Sequence, residues 1–318
     1  MSFSFDEKPF FHCIIILMTI IITLLLSLKI ILSVIIKYSN DEKIKRYPQD
    51  IFMSHKLFIE SHAGLNKEIF QNTLESFSKV IENNIESLET DVWLTKDKVL
   101  VLVHGSNEGE LRDYFDHSGN VMNLTWKELS KFRTIKDNLT MPKLSDALKL
   151  IKNKIFLNLE IKDPRVDLVF PYIIKEIEKN DFFEQISLSS LHHGYYEKIK
   201  EYNKNNDQNI VFGFVYKANQ SEIFDYSKKG SSLNIHFKDA TKEVCDKAHQ
   251  NGMAVLAWMR MRDKENYEVY KRLADNGVDV ICCNDPVSAK KFRDNLYDQS
   301  WSGFNIIKTF KRIFRKDE

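Results

Sequence analysis

The 318-residue chain carries 46 Lys and Arg residues against 45 Asp and Glu residues, so its formal net charge is +1. A chain without a strong positive field is not suited to general binding of polyanions, and we expect no nucleic-acid partner. Hydrophobic residues make up 43% of the chain, enough for a large core, while 10 Gly and 6 Pro exclude a collagen-like or linker-dominated protein. The four cysteines lack metal-ligand spacing and, since Cys282 and Cys283 are adjacent, make a poor disulfide framework.

One segment near the N-terminus departs from the mean hydropathy of −0.35. Residues 10–36 read FFHCIIILMTIIITLLLSLKIILSVII, and only His12 and Lys29 interrupt the apolar run. About 20 apolar residues suffice to cross a bilayer, and no small-residue cleavage site follows this run. The pattern predicts a retained transmembrane helix at 10–36, with a short tail at 1–9 and a juxtamembrane linker at 37–55. A buried core helix is the alternative, but a helix that is apolar on every face is more typical of a membrane span.

The charges beside this run predict its orientation. Lys8 precedes it, and four cationic residues follow it shortly afterwards: Lys37, Lys43, Lys45 and Arg46. By the positive-inside rule, the larger downstream part lies in the cytosol of a single-pass membrane protein. Three N-x-S/T sequons, at Asn123, Asn138 and Asn219, would favour a lumenal face if they were glycosylated. In a chain so rich in asparagine we interpret them as chance matches.

Short aliphatic runs alternate with amphipathic stretches from about residue 56 onwards, which is the pattern of βα units around a parallel sheet. The predicted strands are 57–60, 87–91, 155–161, 185–189, 210–214, 232–235, 253–258 and 278–282. Helices are predicted between them, for example over 71–82 and over 242–250, where Gly252 gives a stop signal. Eight such units predict an α/β fold, a closed (β/α)8 TIM barrel over residues 56–296.

Two departures from the alternation follow the second predicted strand. Residues 99–104 predict an additional strand after the turn-like residues 96–98. Residues 105–141 then form a long polar excursion, which is more typical of an inserted subdomain or an active-site flap than of a linker.

Three carboxylates lie at predicted strand ends, where TIM barrels carry their catalytic groups. Glu89 and Asp91 are two residues apart on one strand and therefore share a face. Glu160, at the end of the next barrel strand, can add a third carboxylate. An all-oxygen site of this kind suits one divalent cation, Mg²⁺ or Ca²⁺, rather than zinc. A solvated strand end is the ordinary alternative for each of these residues.

Two histidines, a lysine and a tryptophan lie at the same predicted rim. His62 and His104 suit the cleavage of a phosphodiester, in which one group removes a proton from the attacking hydroxyl and the other protonates the leaving alkoxide. Lys162 can neutralise phosphate charge, and Trp258 can form an apolar wall for the alcohol or acyl part of a substrate. Singly, each has a structural explanation: a hydrogen-bonded histidine, a surface lysine, a packed tryptophan.

The motifs SHAG, QNTLESF, ESLETDVWLTKDKVLVLVHG, MPKLSDAL, FLNLEIKD and NGVDVICCNDP follow one another between residues 58 and 286. In this order they resemble the motifs of glycerophosphodiester phosphodiesterases. The resemblance implies a TIM barrel that binds a divalent cation through Glu89, Asp91 and Glu160, uses the two histidines as its catalytic pair and faces the phosphate with the lysine. It implies hydrolysis of a glycerophosphodiester to glycerol 3-phosphate and an alcohol. Members of the family with a membrane anchor are associated with lysophospholipids. For a chain with a predicted anchor, the resemblance therefore implies lysophospholipid substrates and a lysophospholipase D-like reaction.

Three positions depart from the family motifs. Ala63 replaces the arginine of His-Arg-Gly, Gln71 replaces the glutamate of Glu-Asn-Thr, and Gly105 replaces the aspartate of His-Asp. These changes remove a phosphate contact, a carboxylate near the metal and a group that would orient the histidine. The alternatives to the phosphodiesterase are therefore a phosphoinositide-type phospholipase C and a catalytically silent barrel that binds lipid or a partner.

Residues 297–318 contain the basic sequence WSGFNIIKTFKRIFRK. On a helix, Ile306, Phe310 and Ile313 form an apolar stripe bordered by lysines and arginines. Such a helix can lie on an anionic membrane surface or pack against the barrel with a solvated face. Because the predicted anchor already holds the chain at a membrane, we expect contact with membrane lipid.

Overall fold

A computed structural model of the protein describes residues 57–302 apart from residue 107, with side chains described up to residue 296. The predicted transmembrane helix at 10–36, the tail at 1–9 and the linker at 37–55 lie outside the described residues. The predicted amphipathic stripe near the C-terminus also lies outside them. Within the described part of the chain, no helix is both long and apolar enough to cross a membrane.

Nine strands form one sheet in the described part of the chain, and eight of them close into a parallel barrel. They are β1 (Phe58–His62), β2 (Ser87–Leu94), β3 (Leu100–Leu102), β4 (Phe156–Ile161), β5 (Ile186–Ser190), β6 (Val211–Val215), β7 (Ser232–His236), β8 (Ala254–Trp258) and β9 (Val280–Cys283). The ring runs β1-β9-β8-β7-β6-β5-β4-β2 and closes through parallel pairing of β1 with β2, while β3 pairs antiparallel with β2. The predicted TIM barrel is confirmed, and each predicted strand coincides with an observed one to within a few residues.

Helices surround the barrel. They are α1 (Leu74–Glu82), α2 (Trp126–Leu129), α3 (Leu144–Ile151), α4 (Val166–Asn180), α5 (Gly194–Asn206), α6 (Lys242–Gln250), α7 (Tyr267–Asp275) and α8 (Pro286–Ser302). The helix predicted over 71–82 begins later because Thr73 caps it: its hydroxyl accepts a hydrogen bond from the Ser76 backbone amide at 3.2 Å. The helix predicted over 242–250 has the predicted bounds.

The main hydrophobic core lies between the strands and the outer helices. In β2, Leu88 and Val92 are fully buried in this layer, while Glu89 and Asp91 alternate with them and face the barrel interior. This alternation explains how a fully buried strand can carry two carboxylates at the barrel mouth.

The interior of the barrel is polar below the mouth on the side of β1, β2 and β4. The Glu60 carboxylate is fully buried and accepts hydrogen bonds from Ser87 Oγ at 2.8 Å and Asn158 Nδ2 at 3.1 Å. Burial raises the pKa of Glu60, which favours its protonated form. The barrel therefore keeps a buried acid beneath the mouth without a cationic partner among the described side chains.

The excursion over 105–141 packs on β2 and β3 around a hydrophobic cluster separate from the main core. The buried members of this cluster are Trp93, Val101, Val103, Leu111, Phe115, Val121, Leu129, Phe132 and Met141. The Trp93 indole also donates a hydrogen bond to the His104 carbonyl at 3.1 Å. The cluster thus joins the excursion to β2 and β3, and the Trp93 indole of β2 holds the segment that follows β3.

A buried ion pair just beyond β4 leads to a stability prediction. Asp163 is fully buried, and Arg165 donates to it from Nε at 2.9 Å and from Nη2 at 2.6 Å, while Leu94 N donates at 3.2 Å. Arg165→Ala leaves this carboxylate uncompensated, so we expect the free energy of unfolding to fall by about 3 kcal/mol. Urea denaturation of the purified variants measures the change. Arg165→Lys keeps the charge but not the two parallel hydrogen bonds of the guanidinium group, so it should lose less stability than Arg165→Ala. Equal urea midpoints for the wild type and Arg165→Ala would disprove the prediction.

A second pair predicts a pH-dependent contribution to stability. His249 Nε2 lies 2.8 Å from Asp279 Oδ2, and this hydrogen bond raises the pKa of His249. The folded state therefore binds the proton more tightly, so the contribution is fully present below the unfolded pKa of about 6.5 and is lost as the pH rises through the folded pKa. Because the His249 side chain is 37% exposed, we expect His249→Gln to cost less than about 1 kcal/mol at pH 5.5 and still less at pH 9. Chemical denaturation at both pH values measures the difference, and a larger loss at pH 9 would reverse the predicted sign.

Candidate active site

Three carboxylates converge at the mouth of the barrel and form what we call the carboxylate cluster: Glu89 and Asp91 of β2 and Glu160 of β4. One oxygen from each lies within 4.8 Å of the others. The parallel register of β2 and β4 sets Asp91 beside Glu160. Glu89 Oε2 accepts a hydrogen bond from the Ala63 amide at 3.0 Å, whereas the buried Glu89 Oε1 has no hydrogen-bond partner among the described groups. Three converging carboxylates, with Glu89 Oε1 buried and unsatisfied, fit a hard divalent cation.

Lys162 compensates part of this negative charge. Its Nζ lies 2.6 Å from Glu160 Oε1 and 3.1 Å from Asp91 Oδ1. Burial opposes the charged form of the lysine, but the carboxylates raise its pKa, led by Asp91. Lys162 lines the cavity as predicted, although in this structure its charge is shared with two members of the cluster.

The members of the cluster differ in pKa. Burial would raise the pKa of Asp91, but Lys162 and the two predicted catalytic histidines lower it to about 2. Burial raises the pKa of Glu89 well above its ordinary value, and the charges of Asp91 and Glu160 raise it further. Burial and mutual repulsion therefore oppose ionisation of all three carboxylates together, and a cation bound among them would relieve this cost.

Asn72 orients Asp91. Its Nδ2 donates to Asp91 Oδ2 at 2.9 Å, and its Oδ1 accepts from Thr90 Oγ1 at 2.5 Å. The Asn72 backbone has φ of +55°, a left-handed conformation that asparagine tolerates better than most residues. Sequence reasoning missed this contact because Asn72 lies before α1, 19 residues from the carboxylate that it binds.

His62 ends β1, and Asn284 orients its ring. Asn284 Nδ2 donates to the Arg260 carbonyl at 3.1 Å and to Glu265 Oε1 at 2.5 Å, and both of these atoms act as acceptors. Asn284 Oδ1 therefore faces His62 Nδ1 at 3.2 Å and accepts its hydrogen. This assignment leaves His62 Nε2 unprotonated and turned towards the cluster, 3.9 Å from Glu89 Oε2. Burial lowers the pKa of His62.

His104 follows β3, and the backbone orients it. Its Nδ1 lies 2.8 Å from the Gly105 carbonyl, which can only accept, so Nδ1 carries the hydrogen and Nε2 is left free. The Tyr114 hydroxyl, from the excursion, lies 3.1 Å from the same Nδ1. Gly105 has φ of +68°, and a Cβ there would lie 3.0 Å from the Gly109 Cα. The carbonyl of Gly105 thus supplies the orienting contact that an aspartate side chain was expected to supply.

One cavity of about 840 Å³ unites the predicted residues. It is lined by His62, Glu89, His104, Glu160, Lys162 and Trp258, and the fully buried Asp91 lies directly behind this lining. The sequence therefore identified residues that the fold brings together, while it missed Asn72, Asn284 and Tyr114. The Asn284 contact depends on the closure of the barrel, because its partner His62 lies 222 positions away. The contacts of Asn72 and Tyr114 depend on how the segments before α1 and after β3 fold back on the mouth.

Trp258 forms part of the wall of this cavity. Its ring lies 4.9 Å from that of His236, centroid to centroid. Its buried Nε1 has no hydrogen-bond partner among the described groups. Gln71, at the position where a carboxylate was expected, also lines the cavity and leaves its buried Oε1 without a partner in the described part of the chain.

Comparisons with known proteins identify a matching family and several relatives. Residues 62–288 match the model of the glycerophosphoryl diester phosphodiesterase family. A glycerophosphodiester phosphodiesterase of Caldanaerobacter subterraneus is 27% identical over 245 residues, which cover 73% of this chain and 95% of that protein. The enzyme of the same name from Bacillus altitudinis is 23% identical over 248 residues, 75% of this chain and 98% of that protein.

Among solved structures, an Oleispira antarctica phosphodiesterase in complex with the product sn-glycerol-3-phosphate superposes with a TM-score of 0.63 at 19% identity. The match covers 76% of this chain and 99% of that one. At this identity the likeness shows a shared fold.

Proposed function

The chain belongs to the glycerophosphoryl diester phosphodiesterase family and is a hydrolase of that family, and we propose that its substrate is a glycerophosphodiester. The products would be glycerol 3-phosphate and an alcohol, formed by metal-assisted catalysis with two histidines. One observation carries the proposal. The two histidines present free Nε2 atoms in the same cavity as the carboxylate cluster and Lys162. This is the set of groups that a phosphodiester needs for charge neutralisation and two proton transfers.

The carboxylate cluster would hold one divalent cation. Its all-oxygen composition and the unsatisfied Glu89 Oε1 support Mg²⁺ or Ca²⁺ over zinc. When bound, such a cation supplies Lewis acidity towards the phosphoryl oxygens. Lys162, at the edge of the cluster, would add positive charge beside the phosphate.

The two histidines would move the protons. One Nε2 accepts the proton of the attacking hydroxyl, which belongs to water or to the neighbouring hydroxyl of the substrate's own glycerol. The other Nε2, protonated, donates to the oxygen of the leaving alcohol. Attack by the glycerol hydroxyl would give a cyclic phosphate that water opens in a second step with the roles of the histidines reversed.

Asn284 is expected to act on catalysis through His62, as a positioning residue. Removing its side chain releases His62 Nδ1 and lets the ring rotate or change tautomer, so Asn284→Ala should lower kcat about ten-fold with little change in KM. Steady-state kinetics measure both constants. Asn284→Asp keeps an acceptor for His62 but sets a second carboxylate against Glu265, so it should restore only part of kcat. A change in KM alone would argue against positioning.

The reaction is tested on the full-length protein in detergent with glycerophosphocholine. We expect glycerol 3-phosphate and choline to appear together, with activity lost in a chelator and restored by Mg²⁺ or Ca²⁺. No release under conditions in which a known enzyme is active would overturn the proposal. Cleavage on the other side of the phosphate, to phosphocholine, would favour a phospholipase C, and metal binding without turnover would favour a silent barrel.

We propose further that the substrate includes lysophospholipids at a membrane. The apolar run at 10–36 supports a single-pass anchor, and Leu191 and Met261, 37% and 45% exposed, line the cavity where an acyl chain needs apolar contact. Lysophosphatidylcholine in mixed micelles should yield lysophosphatidic acid and choline. Turnover of glycerophosphocholine but not of the lipid would restrict the protein to water-soluble diesters.

The cations at 37–46 support a cytosolic barrel, and the basic C-terminal sequence supports contact with anionic lipid on the same face. Protease digestion of sealed vesicles that contain the full-length protein tests this orientation. The barrel should be digested in vesicles whose cytosolic face is outward and protected in vesicles whose cytosolic face is inward. The reverse pattern would contradict the cytosolic orientation.

A further inference from the structure

Three cationic side chains line the cavity from loops that carry no member of the carboxylate cluster, and we call them the basic rim: Lys217, Arg260 and Arg262. Lys217 follows β6, and the two arginines follow β8. In the ring of strands, β8 lies opposite β4, and β5 separates β6 from β4. The acidic and basic groups of the cavity therefore come from different strands of the ring.

Within the described residues, no side chain of the basic rim forms an ion pair or donates a hydrogen bond. Asp263, the nearest acid in sequence, interacts electrostatically with Arg260. Its hydrogen bonds go elsewhere: its Oδ2 lies 2.8 Å from His236 Nε2 and accepts the Arg260 backbone amide at 2.7 Å. The charges of Lys217 and Arg262, and the hydrogen-bond donors of all three side chains, are thus available to a bound ligand.

In the proposed function, the reacting phosphate takes its contacts from the divalent cation of the carboxylate cluster and from Lys162. Glycerol and an acyl chain carry no charge. The part of a glycerophosphodiester that remains to meet the basic rim is the alcohol beyond the phosphate.

We infer that the basic rim is a subsite for an alcohol that carries negative charge of its own, as a phosphate or carboxylate group. The inference rests on the proposed function and specifies its substrate class. Guanidinium groups bind phosphate and carboxylate oxygens through paired hydrogen bonds, so Arg260 and Arg262 suit this ligand chemistry. A choline or ethanolamine group gains no such contact, so its diesters should still be hydrolysed but with a lower kcat/KM than an anionic diester.

The test compares glycerophosphoinositol 4-phosphate with glycerophosphoinositol, which differ by one phosphate on the alcohol. With the full-length protein and Mg²⁺, we expect kcat/KM to be about ten-fold higher for the phosphorylated substrate at low ionic strength and the ratio to shrink as salt is added. In the double variant Lys217→Glu/Arg262→Glu, the ratio should fall to one or below. Arg260 is left intact because its charge also acts on Asp263, which pairs with His236.

Lys264→Glu is the matched control, since Lys264 is exposed on the same loop but does not line the cavity. Its substrate ratio should equal that of the wild type. Thermal denaturation of each variant checks that the fold is retained, and Lys217→Gln/Arg262→Gln replaces the double variant if it is not. Equal turnover of the two substrates by the wild type, or equal losses on both in the double variant, would overturn the subsite while leaving the proposed function standing. No turnover of either substrate or of glycerophosphocholine would instead overturn the proposed function.

Discussion

Replacing either histidine of the cavity with alanine is expected to lower kcat for glycerophosphodiester hydrolysis by about 100- to 10,000-fold, because each removes one of the two proton transfers. His62 and His104 are held differently, the first by the Asn284 side chain and the second by the Gly105 carbonyl, but both leave Nε2 free at the cavity. KM should change much less than kcat. Steady-state rates of glycerol 3-phosphate release measure kcat and KM.

The control for this prediction is His117→Ala. His117 lies on the same excursion as Tyr114, and its side chain is 58% exposed and paired with Asp116, away from the cavity. It should retain wild-type kcat. The double variant His62→Ala/His104→Ala should lose little more than the worse single variant, because groups that act in one step are not additive. Near-normal kcat in either single variant would remove that histidine from the mechanism.

The second large effect concerns Glu89→Gln, which removes one charge from the carboxylate cluster and nearly preserves its shape. We expect the affinity for Mg²⁺ or Ca²⁺ to fall by at least about ten-fold, and activity at limiting metal to fall with it. Isothermal titration calorimetry on the full-length protein measures the affinity independently of turnover. Glu243→Gln, on the exposed first turn of α6, is the charge-matched control.

The same substitution should raise the stability of the metal-free protein. Burial and the neighbouring carboxylates raise the pKa of Glu89, so the unfolded state releases this proton more readily than the folded state. The ionised group therefore costs stability above the unfolded pKa of about 4.3, and the cost grows until the pH exceeds the folded pKa. At pH 7 and without metal, Glu89→Gln should melt at a higher temperature than the wild type, yet gain less from added Mg²⁺. A lower melting temperature for the metal-free variant would contradict this electrostatic account.

Residue patterns in the sequence were sufficient to predict the barrel. The periods of the strand and helix segments are local properties, and eight βα units have one common way to close. The residues at the ends of those strands could be chosen for the same reason, since the carboxyl ends of parallel strands meet at one rim. The sequence alone therefore predicts that Glu89, Glu160 and His62 lie at one rim.

The orienting contacts could not be predicted in this way. Asn284 lies 222 positions from His62, and Asn72 lies on a left-handed turn whose partner is in β2. The Gly105 carbonyl that orients His104 is a backbone group. A comparison of side chains alone therefore predicts that the orienting contact is lost at this position. The basic rim likewise comes from two loops, after β6 and β8, with no shared motif.

The sequence by itself determined which chemical groups the barrel mouth contains, because side-chain alternation and strand order assign residues to faces and ends. The tertiary structure decided how those groups are held and which of them remain unpaired. Tautomers, carboxylate orientation and free charge depend on contacts of a few ångströms between distant segments, and only barrel closure sets those distances. The catalytic set of this protein could therefore be predicted from the sequence. The Asn284 contact and the basic rim could not, because they form only when the ring of strands closes.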